Sequence, residues 1–245
     1  MGAGRWTPVF VSRSSGVLAL LLLAGTFLYF GLISPPLGPP EPSASKLVSW
    51  TMSHQQQLLF QSVPGYLAVL FAVLIALLIH LNGGRGVLAT LAYVGTGANL
   101  AIALVSFGLF FGTWTYIQRG GTSDGVLVLA TIAPTFTHAS LMAQGLAIGC
   151  VGVIALRARV WPTWLSWLTI LAGAEQFLTD IAFASGPSFS TTSANAITVG
   201  SLARRLDIAF SLLWPLALAA VLLVRPVSHS GEHAPTVAPS SAATR

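Results

Sequence analysis

The chain has 245 residues, of which 54% are hydrophobic and only 7% charged, with a net charge of +5. Soluble domains carry roughly 25% charged residues, so this composition excludes a water-covered globular surface and leaves lipid as the solvent in which the chain is stable. The eleven basic residues stand in ones and twos at the ends of apolar runs. That is how topology signals are distributed, not how a phosphate-binding stripe looks, and it argues against nucleic acid as a partner.

Residues 1–15 read as a short cytoplasmic segment carrying Arg5 and Arg13, and 16–33 as the first crossing. A basic flank before an apolar run is also the pattern of a signal peptide. Here the run is long for one, and the nearest small-residue pair, Ser43-x-Ser45, lies far downstream, so an uncleaved helix is expected. Residues 34–63 form an extracytoplasmic loop. Its first part is proline-rich and extended; its second, with Trp50 and His54, is expected to be helical, either lying at the interface or extending the next crossing outward. The second crossing, 65–81, ends in the tight turn Asn82-Gly83-Gly84-Arg85.

The third crossing is 87–111, and its Gly108-x-x-x-Gly112 spacing permits close approach of another helix. Residues 113–125 are expected to be a polar loop, with Asp124 as N-cap of the next helix. The fourth crossing, 126–156, exceeds about twenty residues and must tilt, kink or protrude; Pro134 is the expected kink. Gly145-x-x-x-Gly149 gives it a small-residue face. Cys150, the single cysteine, reads as a small packing residue. Trp161, Trp164 and Trp167 belong to an interfacial belt. The fifth crossing, 164–184, is followed by an uncharged loop over 185–203. The sixth, 207–224, has an interruption at Trp214-Pro215, and 226–245 read as a disordered tail. The expected fold is an all-α polytopic transmembrane bundle of six helices over 16–225.

Basic residues set the orientation. With the N-terminus inside, Arg5, Arg13, Arg85, Arg157, Arg159, Arg225 and Arg245 fall inside, against Lys46, Arg119, Arg204 and Arg205 outside. Both termini are therefore expected to be cytoplasmic, with Arg204-Arg205 as the exception.

Polar residues inside the crossings carry the functional expectation, because a carboxylate at the bilayer centre costs at least ~2.5–3.5 kcal/mol and needs a partner, a proton or a water-filled cavity. The fifth crossing carries Glu175, Gln176, Thr179 and Asp180. Glu175 and Thr179 are four apart, as are Gln176 and Asp180, so they form one polar wedge. Two layers are expected: an outer one of Asp180, Arg204 and Asp207 with His138 below it, and a middle one of Asn99, Gln144 and Glu175. Asp180 with Arg204 reads first as a structural ion pair between helices. Asn99 and Gln144 read as interhelical hydrogen-bond glue, and His138 as a satisfied packing histidine. Glu175 is the strongest functional candidate, since low-dielectric surroundings favour its protonated form.

No H-E-x-x-H, paired Glu-Glu, G-x-S-x-G or Walker loop occurs. His138 and Ser140 point about 200° apart on one helix, which is wrong for a nucleophile and its base. No catalytic residue, metal ligand set or cofactor is expected. The expected partners are the lipid bilayer, a small ligand, ion or proton, and a membrane-protein partner or second copy of the chain.

The run RVWPTWLSWLTILAGAEQFLTDIAFA, 159–184, resembles the shared segment of a large family of bacterial six-helix membrane proteins known only as a domain of unknown function. The matching positions are Arg159, Pro162, Leu171-Ala172-Gly173 and Asp180. The motif covers about 157–184, and the layout of helices covers most of 16–225. The resemblance implies a six-helix fold in a bacterial plasma membrane and no particular activity. Glu175-Gln176 departs from the apolar or aromatic residues of that family, which makes Glu175 particular to this chain. Three functions follow as expectations: a non-enzymatic protein whose polar interior binds or moves a small ligand, ion or proton; a structural or partner-binding membrane subunit; or an intramembrane metalloenzyme built on His138 and its acidic neighbours.

Overall fold

The computed structural model describes residues 7–31, 44–55, 63–184 and 194–225, and every regular element among them is an α-helix. In chain order these are α1 (Pro8–Gly31), α2 (Ala44–Ser53), α3 (Val63–Leu81), α4 (Val87–Gln118), α5 (Ser123–Ala158), α6 (Thr163–Ala184) and α7 (Ala194–Val224). The side chains at 29–31, 44, 63, 64, 134, 180–184, 194–205 and 207 lie outside the described residues, as do the proline-rich stretch, the 185–193 segment and the tail from 226.

Three helices are long and apolar enough to cross a membrane, over Pro8–Leu28, Val87–Gln118 and Ser123–Ala158, and Gly65–Leu81 and Ile208–Val224 are shorter apolar helices. A helix suits such runs because lipid offers no partner for backbone N–H and C=O groups, so each must be bonded within its own segment. The outward faces agree with that solvent: Leu20, Phe27, Val73, Val94, Leu104, Leu171, Leu178 and Leu213 are all exposed.

Excluding α2, the helices form a closed ring in sequence order. α1 packs on α3, α3 on α4, α4 on α5, α5 on α6, α6 on α7, and α7 returns to α1. Ser12 Oγ of α1 donates to the Leu222 carbonyl of α7 at 3.2 Å, which seals the ring. One continuous core runs through it, including Val11, Phe71, Leu74, Leu78, Ala92, Val151, Leu165 and Leu222. The end holding the start of α1, the α3–α4 turn, the α5–α6 turn and the end of α7 is called basal below, and the opposite end apical.

α4 and α5 form a tall antiparallel hairpin. The buried residues of α4 recur at alternating steps of three and four from Ala89 through Ala92, Thr96, Asn99, Ala103, Ser106, Phe110 and Thr113 to Ile117. The opposing α5 seam holds Val126, Ala133, Ser140, Ala147 and Ile154, seven apart. This is the seven-residue repeat of left-handed helix packing. Gly65, near the start of α3, faces Phe107. The hairpin therefore rises from Phe107 to Gln118 beyond it, ~16 Å at 1.5 Å per residue. α2 covers this projection: its Val48 joins the cluster of Phe110, Ile117, Val126 and Ala133.

Several expected boundaries shift outward. α1 begins at Pro8, where Ser12 and Ser15 are already buried. The expected 113–125 loop shrinks to 119–122, because α4 continues to Gln118 and Tyr116 Oη reaches Thr122 Oγ1 at 3.0 Å to close the turn. The N-cap of α5 is Thr122, whose side chain accepts from Gly125 N at 3.3 Å, and not Asp124, which sits in the first turn. α7 begins at Ala194, inside the expected 185–203 loop. Helix continues through positions 134 and 215, so neither proline ends one. At the α3–α4 turn, Gly83 and Gly86 adopt φ of 59° and 79°, values open to glycine at no steric cost, and Asn82 Nδ2 donates back to Leu78 O at 2.7 Å.

Candidate functional site

α5 is the spine of the polar interior, because it touches α4 on one side and α6 on the other. Against α6 it presents glycine. A Cβ built on Gly173 would meet the Gly149 backbone nitrogen, Gly145 O at 2.6 Å and Gly149 Cα at 2.7 Å. One on Gly145 would stand 2.7 Å from Phe177 N, and one on Gly152 2.7 Å from Ile170 N. The expected Gly145/Gly149 face is thus used within the chain, against Gly173, and extends to Gly152. Gly108 and Gly112 have the same spacing and a different fate: no atom lies within 4 Å of a Cβ built on either.

These contacts set the register. Gly95 of α4 faces Ala143 and Ala147 of α5, Asn99 faces Ser140, and Gly145 and Gly149 face Gly173 of α6. Interpolating between them brings Gln144 to the depth of Gly95–Thr96 on α4 and of Glu175–Phe177 on α6. Asn99, beside Ser140, lies about five residues of α6 beyond Glu175, ~8 Å closer to the apical end, so the residues of the expected middle layer are spread over more than one helical turn. His138 is half-buried, six residues from Gln144 toward the apical end. Asp180 lies in the last turns of α6, and Arg204 and Asp207 in α7; their side chains, and so the expected outer layer, lie outside the described residues.

Asn99 is the most constrained of these polar residues, at 1% exposure. Ser140 Oγ stands 2.7 Å from Asn99 Oδ1 and 3.2 Å from the Asn99 carbonyl, while Asn99 Nδ2 has no partner. Turning the amide over would let Nδ2 donate to Ser140 Oγ and leave Oδ1 bare instead. Ser140 can serve only one end of the group, so either orientation leaves one amide atom buried without a hydrogen bond. Leaving such an atom unmade costs about 1–3 kcal/mol in a protein interior.

Glu175 is half-buried, and Thr179 Oγ1 donates to its Oε1 at 2.9 Å. Thr96, Thr113 and Thr169 instead turn their hydroxyls back to the carbonyl four residues earlier. Thr179 is thus held toward the carboxyl group, and the four-residue spacing acts as expected. Gln176 is buried, and Gln144 half-buried. The sequence reading missed Ser140, which it weighed only as a partner of His138. It also missed the Ser106–Thr137 pair at 2.7 Å and Trp214 Nε1 donating to Thr169 at 3.1 Å. The seven-residue spacing of Asn99, Ser106 and Thr113 is the signal that marks the first two as seam residues. Among the described residues no three His, Cys, Asp or Glu side chains converge on a common point.

Comparison of the chain with protein-family models, with curated proteins and with solved structures finds no match. The resemblance of 157–184 stands on its motif alone.

Proposed function

We propose that the protein is a non-enzymatic integral membrane protein of six crossings, α1 and α3 to α7, in a bacterial plasma membrane. Both termini are cytoplasmic, and the polar interior holding Asn99, Gln144 and Glu175 binds a small ligand, ion or proton. The closed ring of six helices and the basic residues at its basal end support the topology. The observation that carries the binding reading is the Asn99 amide, buried with one end unmatched in the same polar interior that holds Gln144 and Glu175. A ligand with complementary polar atoms would remove that deficit.

A thermal-unfolding screen of the detergent-purified protein against ions, pH steps and small metabolites tests this. A ligand present at 100 times its Kd adds about 2.7 kcal/mol of stability, and the shift is expected to vanish in Asn99→Leu and Glu175→Gln. No shift with any compound, together with an Asn99→Leu protein more stable than the wild type, would make the polar interior scaffolding and overturn the reading.

A second reading, a structural or partner-binding subunit, is favoured by the open small-residue face at Gly108 and Gly112. Its test is the oligomeric state in detergent with Gly108→Leu. A mass unchanged between wild type and variant, with nothing co-purifying, removes it.

A further inference from the structure

The two ends of the ring differ in charge. Arg13 on α1, Arg85 in the α3–α4 turn, Arg157 and Arg159 at the end of α5, and Arg225 after α7 are all exposed. They share the basal end. Ser12, beside Arg13, bonds Leu222 near the end of α7, and a Cβ on Gly84, beside Arg85, would stand 3.3 Å from Ile154 Cγ2 of α5. The described acidic side chains are Asp124, at the apical turn, and Glu175, within α6, so no described carboxylate lies among these arginines.

Two local features point to what the arginines meet. Beside Arg13 the surface of α1 opens into a groove of about 530 Å³ lined by Thr7, Val9, Phe10, Arg13, Ser14, Val17 and Leu18. From Arg13 and Ser14 its lining turns aliphatic at Val17 and Leu18, one turn closer to the middle of the helix, while Val9 and Phe10 lie on the basal side; the step from Arg13–Ser14 to Val17–Leu18 has the polarity of a phospholipid's headgroup and chain. The second feature is Arg159, which caps α5 with φ of 53°. That left-handed conformation disfavours any residue bearing a Cβ, and glycine is its ordinary occupant at a helix end. A guanidinium is kept there despite the backbone.

We propose that the basal end binds anionic phospholipids, with one seated in the α1 groove. Its phosphodiester lies on the Arg13 guanidinium and the Ser14 hydroxyl, and an acyl chain runs along Val17 and Leu18. Guanidinium matches phosphate oxygens in a two-pronged fashion. Phosphatidylglycerol carries a net negative charge and phosphatidylcholine none, so a cluster of exposed arginines favours phosphatidylglycerol. This inference does not depend on the polar interior of the bundle, and Glu175→Gln is expected to leave lipid binding unchanged.

The test is binding and thermal stabilisation of the full chain in neutral detergent, titrated with dioleoylphosphatidylglycerol, dioleoylphosphatidylcholine or inorganic phosphate. Only phosphatidylglycerol is expected to bind. Each basal charge removed, in Arg13→Gln or Arg157→Gln, weakens binding about fivefold, whereas Arg119→Gln at the apical end leaves it unchanged. Arg159→Gly separates binding from folding: without lipid it is expected to be at least as stable as the wild type, yet to bind phosphatidylglycerol more weakly. Equal binding of the two lipids, an equal loss in Arg119→Gln, or displacement of phosphatidylglycerol by inorganic phosphate or by an oligonucleotide would overturn the proposal, the last two by pointing to a free-anion or nucleic-acid site.

Discussion

The two sides of α5 hold their neighbours by different means. Toward α6 the backbones touch along three glycines: a Cβ on Gly145, Gly152 or Gly173 would meet the facing backbone, Gly173 lying against Gly149. Toward α4 such an approach occurs at Gly95, against Ala143 O and Ala147 N, and the rest of the seam carries hydrogen-bonded pairs, Asn99 with Ser140 and Ser106 with Thr137. Lipid tails are as apolar as leucine, so burial of apolar surface does not drive helices together within a bilayer. Close packing and hydrogen bonds remain, and this helix relies mainly on the first toward α6 and on the second along most of its α4 seam. The glycine side gains many small dispersion contacts and has no room for an added atom at Gly145, Gly152 or Gly173. The polar side tolerates changes of shape but leaves a deficit when one partner of a pair is removed.

The sharpest break in this contrast is expected at Gly173. Alanine there must displace the backbone of α5, since its Cβ meets backbone nitrogen, oxygen and Cα atoms and not the movable end of a side chain. Gly173→Ala is expected to cost about 3 kcal/mol, the upper range for overpacking, read from unfolding in detergent. Gly145→Ala should behave alike. A Gly173→Ala protein as stable as the wild type would mean that α5 and α6 are not in backbone contact.

The α4 side should respond in a different order. Ser140→Ala strands the whole Asn99 side chain in the interior, whereas Asn99→Leu removes the group that needs satisfying. Ser140→Ala is therefore expected to cost about 1–3 kcal/mol and Asn99→Leu less, because an unmade buried hydrogen bond costs more than an absent one. The double variant should recover part of the Ser140→Ala loss. If Asn99→Leu is the more damaging of the two, the amide is satisfied by something other than Ser140.

Much of this was readable from the sequence, and what was missed follows a pattern. Apolar runs located the helices, yet α1, α4 and α7 each reach further than the runs suggested, to Pro8, Gln118 and Ala194. Hydropathy reports where apolar surroundings suit a helix, not where its hydrogen bonding stops, and the less apolar turns at Thr113–Gln118 remain helical. Depth at 1.5 Å per residue brought Gln144 near Glu175, but it set Asn99 at their height, whereas the packing of α4 on α5 puts Asn99 beside Ser140, more than a turn closer to the apical end. The direction in which each side chain finds a partner did not follow. Ser140 was adjacent to His138 in sequence, and only the packing of α4 against α5 brings it to Asn99. The glycine pairs make the same point: Gly145/Gly149 and Gly108/Gly112 are identical as motifs, and only the first meets a helix of this chain.

Thr169 gives a smaller test of hydrogen bonds as adhesive. Its hydroxyl accepts from Trp214 Nε1 across α6 and α7, both residues being buried. Thr169→Val keeps the shape and leaves the indole N–H bare, at an expected cost of about 0.6–2 kcal/mol. Thr113→Val removes a hydroxyl that bonds within its own helix, to Leu109 O at 2.7 Å, and is expected to change stability little. Equal effects would remove the distinction between bonds within a helix and bonds between helices.

The smallest effect within the chain is expected at Gly108, and it is informative because it is small. No atom stands within 4 Å of a Cβ at this site, so Gly108→Ala meets no steric objection. Alanine also has the better helix propensity, by about 1 kcal/mol in a helix interior exposed to water. The isolated chain should therefore be unchanged or slightly more stable, in contrast to Gly173→Ala. If Gly108→Ala instead destabilises the purified protein, and does so only at concentrations where the wild type is oligomeric, the missing Cβ is being used by another molecule. The α4 face would then do between chains what the α5 face does within one.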